Sequence, residues 1–354
     1  MSPTRELRLS VGPAGARLRP RVALTVGLLA ATGFAGLVAS VSFGTFAIPV
    51  GDVLGALFGG GPADARLIVH DLRLPRALTA VLAGTAFGLA GAVYQAVTRN
   101  PLASPDLIGV SAGAGAGAVA TIMFGGVTAA GAASFGAVPF GALAGALAAA
   151  TLIYLLAYRG GTVSGYRFVL VGIAVNGALA ALTRWMLARA DIDQAARAMV
   201  WLTGSLNGRG YEHVRWAGLA LLLLVPLTLA LIRPYQLLQF DDDTARGLGM
   251  PLARARIALL VLATCLAALA TSAAGPVAFV ALGAPHIARR LAGTAGIPLI
   301  TSGLTGAALL VLADLAARLV LDPIELPVGI ITGAVGAPYL LLLLARANRA
   351  GRGG

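Results

Sequence analysis

Three short stretches hold most of the residues able to do chemistry. Residues 98–109 read TRNPLASPDLIG, which sets Asn100, Ser104 and Asp106 around Pro101 and Pro105, between two long apolar runs. Residues 234–251 read PYQLLQFDDDTARGLGMP, where Asp241, Asp242 and Asp243 precede Thr244, Ala245, Arg246, Gly247, Leu248 and Gly249. Residues 73–76 read RLPR, with Arg73 and Arg76 three apart, and Arg318 follows Asp314 at i+4 further along. What such sets offer is ion pairing and hydrogen bonding, so no catalytic and no metal-ligating residue is expected. Cys265 stands alone in an apolar run, which excludes a disulfide framework and a thiolate metal site. It reads as a small buried hydrophobe.

Acidic residues test for an internal energy source, because an ion-coupled carrier places ionisable groups near the membrane midplane. Of 14 acids, only Asp314 falls clearly inside an apolar run. With Arg318 one turn on, it reads as a helix-face ion pair, the alternative being a coupling-ion site. His286, in GAPHIARR, reads as structural or interfacial rather than as a proton relay. The chain contains no lysine and so no G-x-x-x-x-G-K-[ST] loop, and it cannot hold ATP in that manner. Any ATP-driven movement must borrow its motor from a partner.

These residues sit on elements dictated by composition. Hydrophobic residues make up 58% of the 354 and charged residues 11%, too few charges to cover a soluble core. The chain is a polytopic membrane protein. Its formal charge of +12 does not indicate nucleic acid, because the arginines are scattered between apolar runs instead of gathered on one face. A spanning helix needs about 20 apolar residues. Ten segments approach that length: 22–43, 76–97, 108–127, 135–158, 167–188, 213–233, 254–273, 275–292, 299–320 and 327–346. The first is too long for the core of a signal peptide and is read as a retained membrane helix. Gly275 and Pro276 force a tight reversal between the seventh and the eighth. The expected organisation is an N-terminal tail 1–21, a ten-helix domain 22–346 and a C-terminal tail 347–354.

Placing both termini in the cytoplasm puts 17 of the 26 arginines inside, as the positive-inside rule favours. The segment 234–251 is then cytoplasmic, with a short helix started by an acidic cap near Asp243 and closed by glycine. It is either a docking foot for a soluble partner or a solvated linker. Arg73, Arg76 and Arg318 then lie on the outer side, where they either meet acidic groups of an extracytoplasmic partner or snorkel at the interface. GxxxG spacings at Gly84/Gly88, Gly113/Gly117, Gly141/Gly145 and Gly329/Gly333 read as close helix packing. Pro101 removes a backbone donor and Pro105 starts a new turn, so 98–109 is expected to be a structured break facing the cytoplasm. At membrane depth such a break needs internal partners, which Asn100, Ser104 and Asp106 can supply. Asn176, an amide in mid-span, either lines a path or bonds a neighbouring helix.

Taken in order, RLPRALTAVLAGTAFGLAGAVYQAVTRNPLASPDLIGVSAGAG, LVGIAVNGAL, FDDDTARGLGMP, GPVAFVALGAPHIARRLAG and LADLAARLVLDPIELPVGIITGAVGAPYLLLLL resemble the permease subunits of bacterial iron-siderophore, haem and vitamin B12 ABC importers. The resemblance covers nearly the whole chain. It implies an all-α fold of the type II ABC importer, with ten membrane helices in the inner membrane. The partners it implies are two ATPases, a second permease subunit, identical or homologous, and an extracytoplasmic binding protein. ATP and Mg would be bound by the ATPases, with no cofactor in this chain. It assigns Asp241–Gly249 to coupling with the ATPase, and matches Arg73, Arg76 and Arg318 to arginines that meet glutamates of the binding protein. TRNPLASPDLIG looks closest to the ferric siderophore subgroup, with haem or vitamin B12 as alternative cargoes. Rival readings of another class are a proton-coupled secondary carrier and a non-transporting scaffold.

Overall fold

The computed structural model describes residues 7–11, 14–18, 20–44, 48–124, 133–159, 162–163 and 165–351. Leu7–Val11 (β1) pairs antiparallel with Ala14–Leu18 (β2), so the expected tail contains a small hairpin. Helix α1 spans Pro20–Ser42, α2 Val50–Leu57 and α3 Ala63–Arg66. A π-helical stretch, Leu67–Arg73, leads into α4, Leu74–Thr98. Then follow α5 (Pro105–Ile108), α6 (Val110–Phe124) and α7 (Ala133–Ala157). A second small pair, Tyr158–Arg159 (β3) with Thr162–Val163 (β4), precedes α8 (Gly165–Arg189), α9 (Ile192–Leu202) and α10 (Tyr211–Ala230). The remainder is α11 (Ile232–Leu237), α12 (Asp242–Gly247), α13 (Leu252–Ala274), α14 (Val280–Ala292), α15 (Leu299–Leu319) and α16 (Val328–Gly351).

Ten of these helices answer the ten expected spans, and seven described helices are long and apolar enough to cross a membrane alone. Two expected spans are corrected. The eighth is helical only from Val280, because Gly275 at φ +75° ends α13 and Pro276 offers no N–H. Its thirteen residues rise about 20 Å against a hydrocarbon layer of about 30 Å. The third is helical over Val110–Phe124, and residues 125–127 of that expectation lie outside the described residues.

The π-helical turn before α4 left no signal in the hydrophobic pattern. Pro75 has no N–H for the Asp71 carbonyl, and its ring crowds that carbonyl, so the turn ahead of it widens. Arg73 ends that turn and Arg76 stands in the first turn of α4, and both are buried.

At the centre lies α4, packed against α13, α14 and α15. Small residues permit the closeness. A methyl on Gly84 would collide with the Gly306 carbonyl, and one on Gly88 with that of Ser302. Helices α6 and α7 repeat the device, since Gly113 and Gly117 face Gly145 and Gly141 backbone to backbone. Without a hydrophobic drive between helices in lipid, such van der Waals approach is what holds a bundle together. The Gly329/Gly333 spacing differs: Gly329 meets the Thr203 carbonyl, and a methyl on Gly333 would meet nothing within 4 Å among the described residues. While α4, α13 and α15 are largely buried, the equally apolar α1, α8 and α10 expose most of their surface, including Leu24, Phe34, Trp185 and Leu222. Apolar surface of that extent belongs against lipid or another subunit.

Candidate functional site

Two polar clusters lie near opposite ends of the bundle, with the break between α4 and α6 joined to one of them. In the first, Arg76 on α4 donates from Nε to both carboxylate oxygens of Asp314 on α15, at 3.1 Å each, and from Nη2 at 3.0 Å. Its Nη1 reaches Glu325 Oε2 at 2.7 Å. Arg318 pairs with Asp314 at 3.4 Å and donates to the Ser40 and Phe43 carbonyls and the Ser40 hydroxyl of the first-helix end. Arg73 donates to the Val41 and Ser42 carbonyls. The i+4 pair expected from sequence is therefore present, but Asp314 belongs chiefly to Arg76, 238 residues away. These three arginines, with Arg209 and Glu325, rim a cavity of about 270 Å³. Arg209 donates to the Ser205 carbonyl and contacts His213, and no carboxylate among the described residues pairs with it. Sequence reasoning missed Glu325 and Arg209; both stand in short polar turns whose partners only tertiary packing selects.

In the second cluster, Asp241 caps α12. Its carboxylate accepts from the Thr244 N–H at 2.8 Å and from the Thr244 hydroxyl at 2.7 Å. The helix thus begins two residues earlier than a cap near Asp243 would place it, because the first carboxylate in the run reaches the free N–H groups. Accepting the backbone N–H, then the hydroxyl, holds the Asp241 carboxyl below the usual range. Ala245 is buried, while Asp243, Thr244, Arg246, Gly247, Leu248 and Gly249 face outward. Gly249 takes φ +78°, closing the segment as expected. Asp242 is half-buried between Arg256 of α13, at 2.6 Å, and Arg99 at the end of α4. Burial pushes its carboxyl up, but hydrogen bonds from both guanidinium groups and their charges outweigh that, leaving it below the ordinary range.

The break 98–109 is structured throughout. Arg99 takes a left-handed φ of 50° at the C-terminus of α4, and its Nε donates to the Leu238 carbonyl at 3.1 Å. Asn100 Oδ1 accepts the Leu102 N–H at 2.9 Å, and Ser104 caps α5, where Pro105 begins the new turn. The Pro101 carbonyl accepts from His286 Nε2 of α14 at 2.8 Å, which gives that histidine a structural partner. Asp106 accepts from the Ser111 hydroxyl at 2.5 Å, and its other oxygen is buried without a partner among the described residues. Asp106, Ser111 and Asn176 border one cavity of about 320 Å³, joined by Thr183 and Arg184 of α8. Gly109, at φ +95°, lies against the backbone of Gly172 and Asn176. The break therefore packs against the middle of α8 instead of lying outside the bundle.

A helical bundle with lipid-facing flanks, no nucleotide loop and a polar segment held out on one side is the membrane-spanning subunit of a transporter. A model of the FecCD transport family matches residues 31–346, and the chain belongs to that family. Ferric enterobactin transport system permease protein FepG of Escherichia coli (strain K12) is 38% identical over 307 residues, covering 86% of this chain and 91% of that protein. Achromobactin transport system permease protein CbrC of Dickeya dadantii (strain 3937) is 41% identical over 312 residues, 88% of each. A solved metal-chelate type ABC transporter in an inward-facing conformation matches with a TM-score of 0.78 at 26% identity, covering 92% of this chain and 99% of that one. The protein is thus an ABC-transporter permease and not an enzyme, and it works in the inner membrane with ATPase and permease partners.

Proposed function

We propose that this chain carries a ferric siderophore into the cytoplasm as half of a permease pair. The observation that carries the reading is similarity over 86–88% of the chain to proteins named for ferric enterobactin, achromobactin and siderophore transport. Two ATPases bind ATP and Mg and supply the work; this chain supplies the path. Their seat is the outward face of 241–249, which protrudes where Ala245 anchors it. Both termini lie in the cytoplasm with that segment. An extracytoplasmic binding protein delivers the cargo at the arginine-rimmed cavity near Arg73, Arg76 and Arg318. The cavity beside Asp106 and Asn176 belongs to the path and gate formed with Asn100, Pro101, Ser104 and Pro105. Weak contacts suit a path, because a state that held the cargo tightly would trap it.

Reconstitution tests the reading. In sealed liposomes holding the permease pair, ATPases and ATP, loaded binding protein outside should drive uptake of ferric siderophore in preference to haem or vitamin B12. Uptake by this chain without ATPases, or its collapse under a protonophore with ATP still supplied, would give the assignment to a secondary carrier.

A further inference from the structure

Hydrogen bonds on the coupling side of the bundle close into a ring. Arg99, at the end of α4, bonds both Asp242 and the Leu238 carbonyl of the 232–249 segment. Two residues on, the Pro101 carbonyl is held by His286 of α14. The turn after α14 returns to the same segment: Ile297 N donates to Gln239 Oε1 at 2.7 Å, and the Ile297 carbonyl accepts from the Tyr235 hydroxyl at 2.8 Å. From α13, Arg256 grips the same Asp242 carboxylate. Arg21 of α1 secures the end of α14 through the Leu291 and Arg290 carbonyls.

One residue in this ring is held against its own preference. A left-handed backbone at a helix C-terminus suits glycine, and an arginine there is strained. Strain of that kind persists where the surroundings over-determine it. At Arg99 the surroundings are the two contacts its guanidinium makes to the coupling segment.

We propose that Arg99 and Arg256 are positioning residues for energy coupling: through Asp242 they clasp the coupling segment to the ends of α4 and α13, so that segment and break move as one body. This rests on the reading of 241–249 as the ATPase seat. A push received on the exposed face of α12 would otherwise be absorbed by the polar linker around it. With the clasp closed, it reaches Pro101, and through His286 the end of α14.

The test uses the complete transporter in liposomes. In Arg256→Met and Arg99→Met, which lie outside the 241–249 seat, the ATPases should still co-purify and basal ATP turnover should persist. Uptake per ATP should fall about tenfold, the scale of an ordinary coupling free energy. Arg99→Lys should recover most of the loss. Leu248→Asp, on the exposed face, should instead detach the ATPases. If Leu248→Asp leaves them bound, the seat is wrong and the proposal falls with it. If it detaches them while Arg99→Met and Arg256→Met transport within twofold of the parent, the clasp alone is wrong. A second measurement leaves the clasp intact, with spin labels at Arg246→Cys and Leu107→Cys in a Cys265→Ala background. Their separation should be the same in nucleotide-free and ATP-bound complexes, and a change between those states overturns the single-body proposal.

Discussion

Arg76 and Asp314 form a forked ion pair between α4 and α15 inside the bundle, with Asp314 fully buried and Arg76 nearly so. Glu325 takes the remaining arm of Arg76, and Arg318 reaches the far side of the same aspartate. Two cations thus share one carboxylate deep in packed helix. Such a cluster is built to be satisfied internally, which argues for architecture over ion coupling.

Removing the shared anion should therefore be severe. Asp314→Ala leaves two buried guanidinium groups facing each other, and loss of one partner of a buried pair costs about 3–5 kcal/mol. Thermal unfolding of the detergent-purified chain should show a large drop, or the chain should fail to accumulate. Full stability in Asp314→Ala would remove the cluster from any structural role.

Close packing between α4 and α15 gives a second expectation. Gly84→Leu places atoms where the Gly306 backbone stands and should destabilise by about 1–3 kcal/mol or force the helices apart. Gly27, on α1, has nothing within 4 Å among the described residues, and Gly27→Leu should behave as the parent. Melting temperatures of the two variants, measured side by side, decide it.

Asp242 predicts how the coupling segment responds to acid. Its folded pKa lies below the unfolded value of about 3.9, so its contribution is complete above that value. It is lost as pH falls through the lower folded value. Proteolytic protection of 238–250 should be unchanged from neutral pH down to about 4 and should decay below it. In Asp242→Asn that acid step should shrink to the part that protonation of the Asp241 cap causes, which limited proteolysis across pH will read.

The contact between His286 and Pro101 should be replaceable by any donor of similar reach. His286→Leu leaves the Pro101 carbonyl bare in a partly exposed place, at a cost of about 1 kcal/mol, and should loosen transport from ATP turnover. His286→Gln should restore both. Pro101→Ala should likewise weaken coupling while the ATPases remain bound; unchanged transport would reduce the stretch to a linker.

Much of this protein was legible in its sequence because lipid imposes simple demands. Apolar runs near twenty residues marked the helices, prolines at 101 and 105 marked the break, and glycines at 275 and 249 marked two exits from helix. Each is a local consequence of backbone chemistry, so no neighbour needed to be known. Helix α14 was overdrawn because hydropathy counts apolar residues and cannot see that 276–279 are not helical. Partners were the other blind spot. The chain showed Asp314 beside Arg318, yet Arg76 holds it from 238 positions away. Sequence alone does not set Asp242 apart within its run of three aspartates; Arg99 and Arg256, which close on it in the fold, do. Charges in a packed bundle are assigned by which helices touch, and close approach at Gly84, Gly88 and Gly306 decided that.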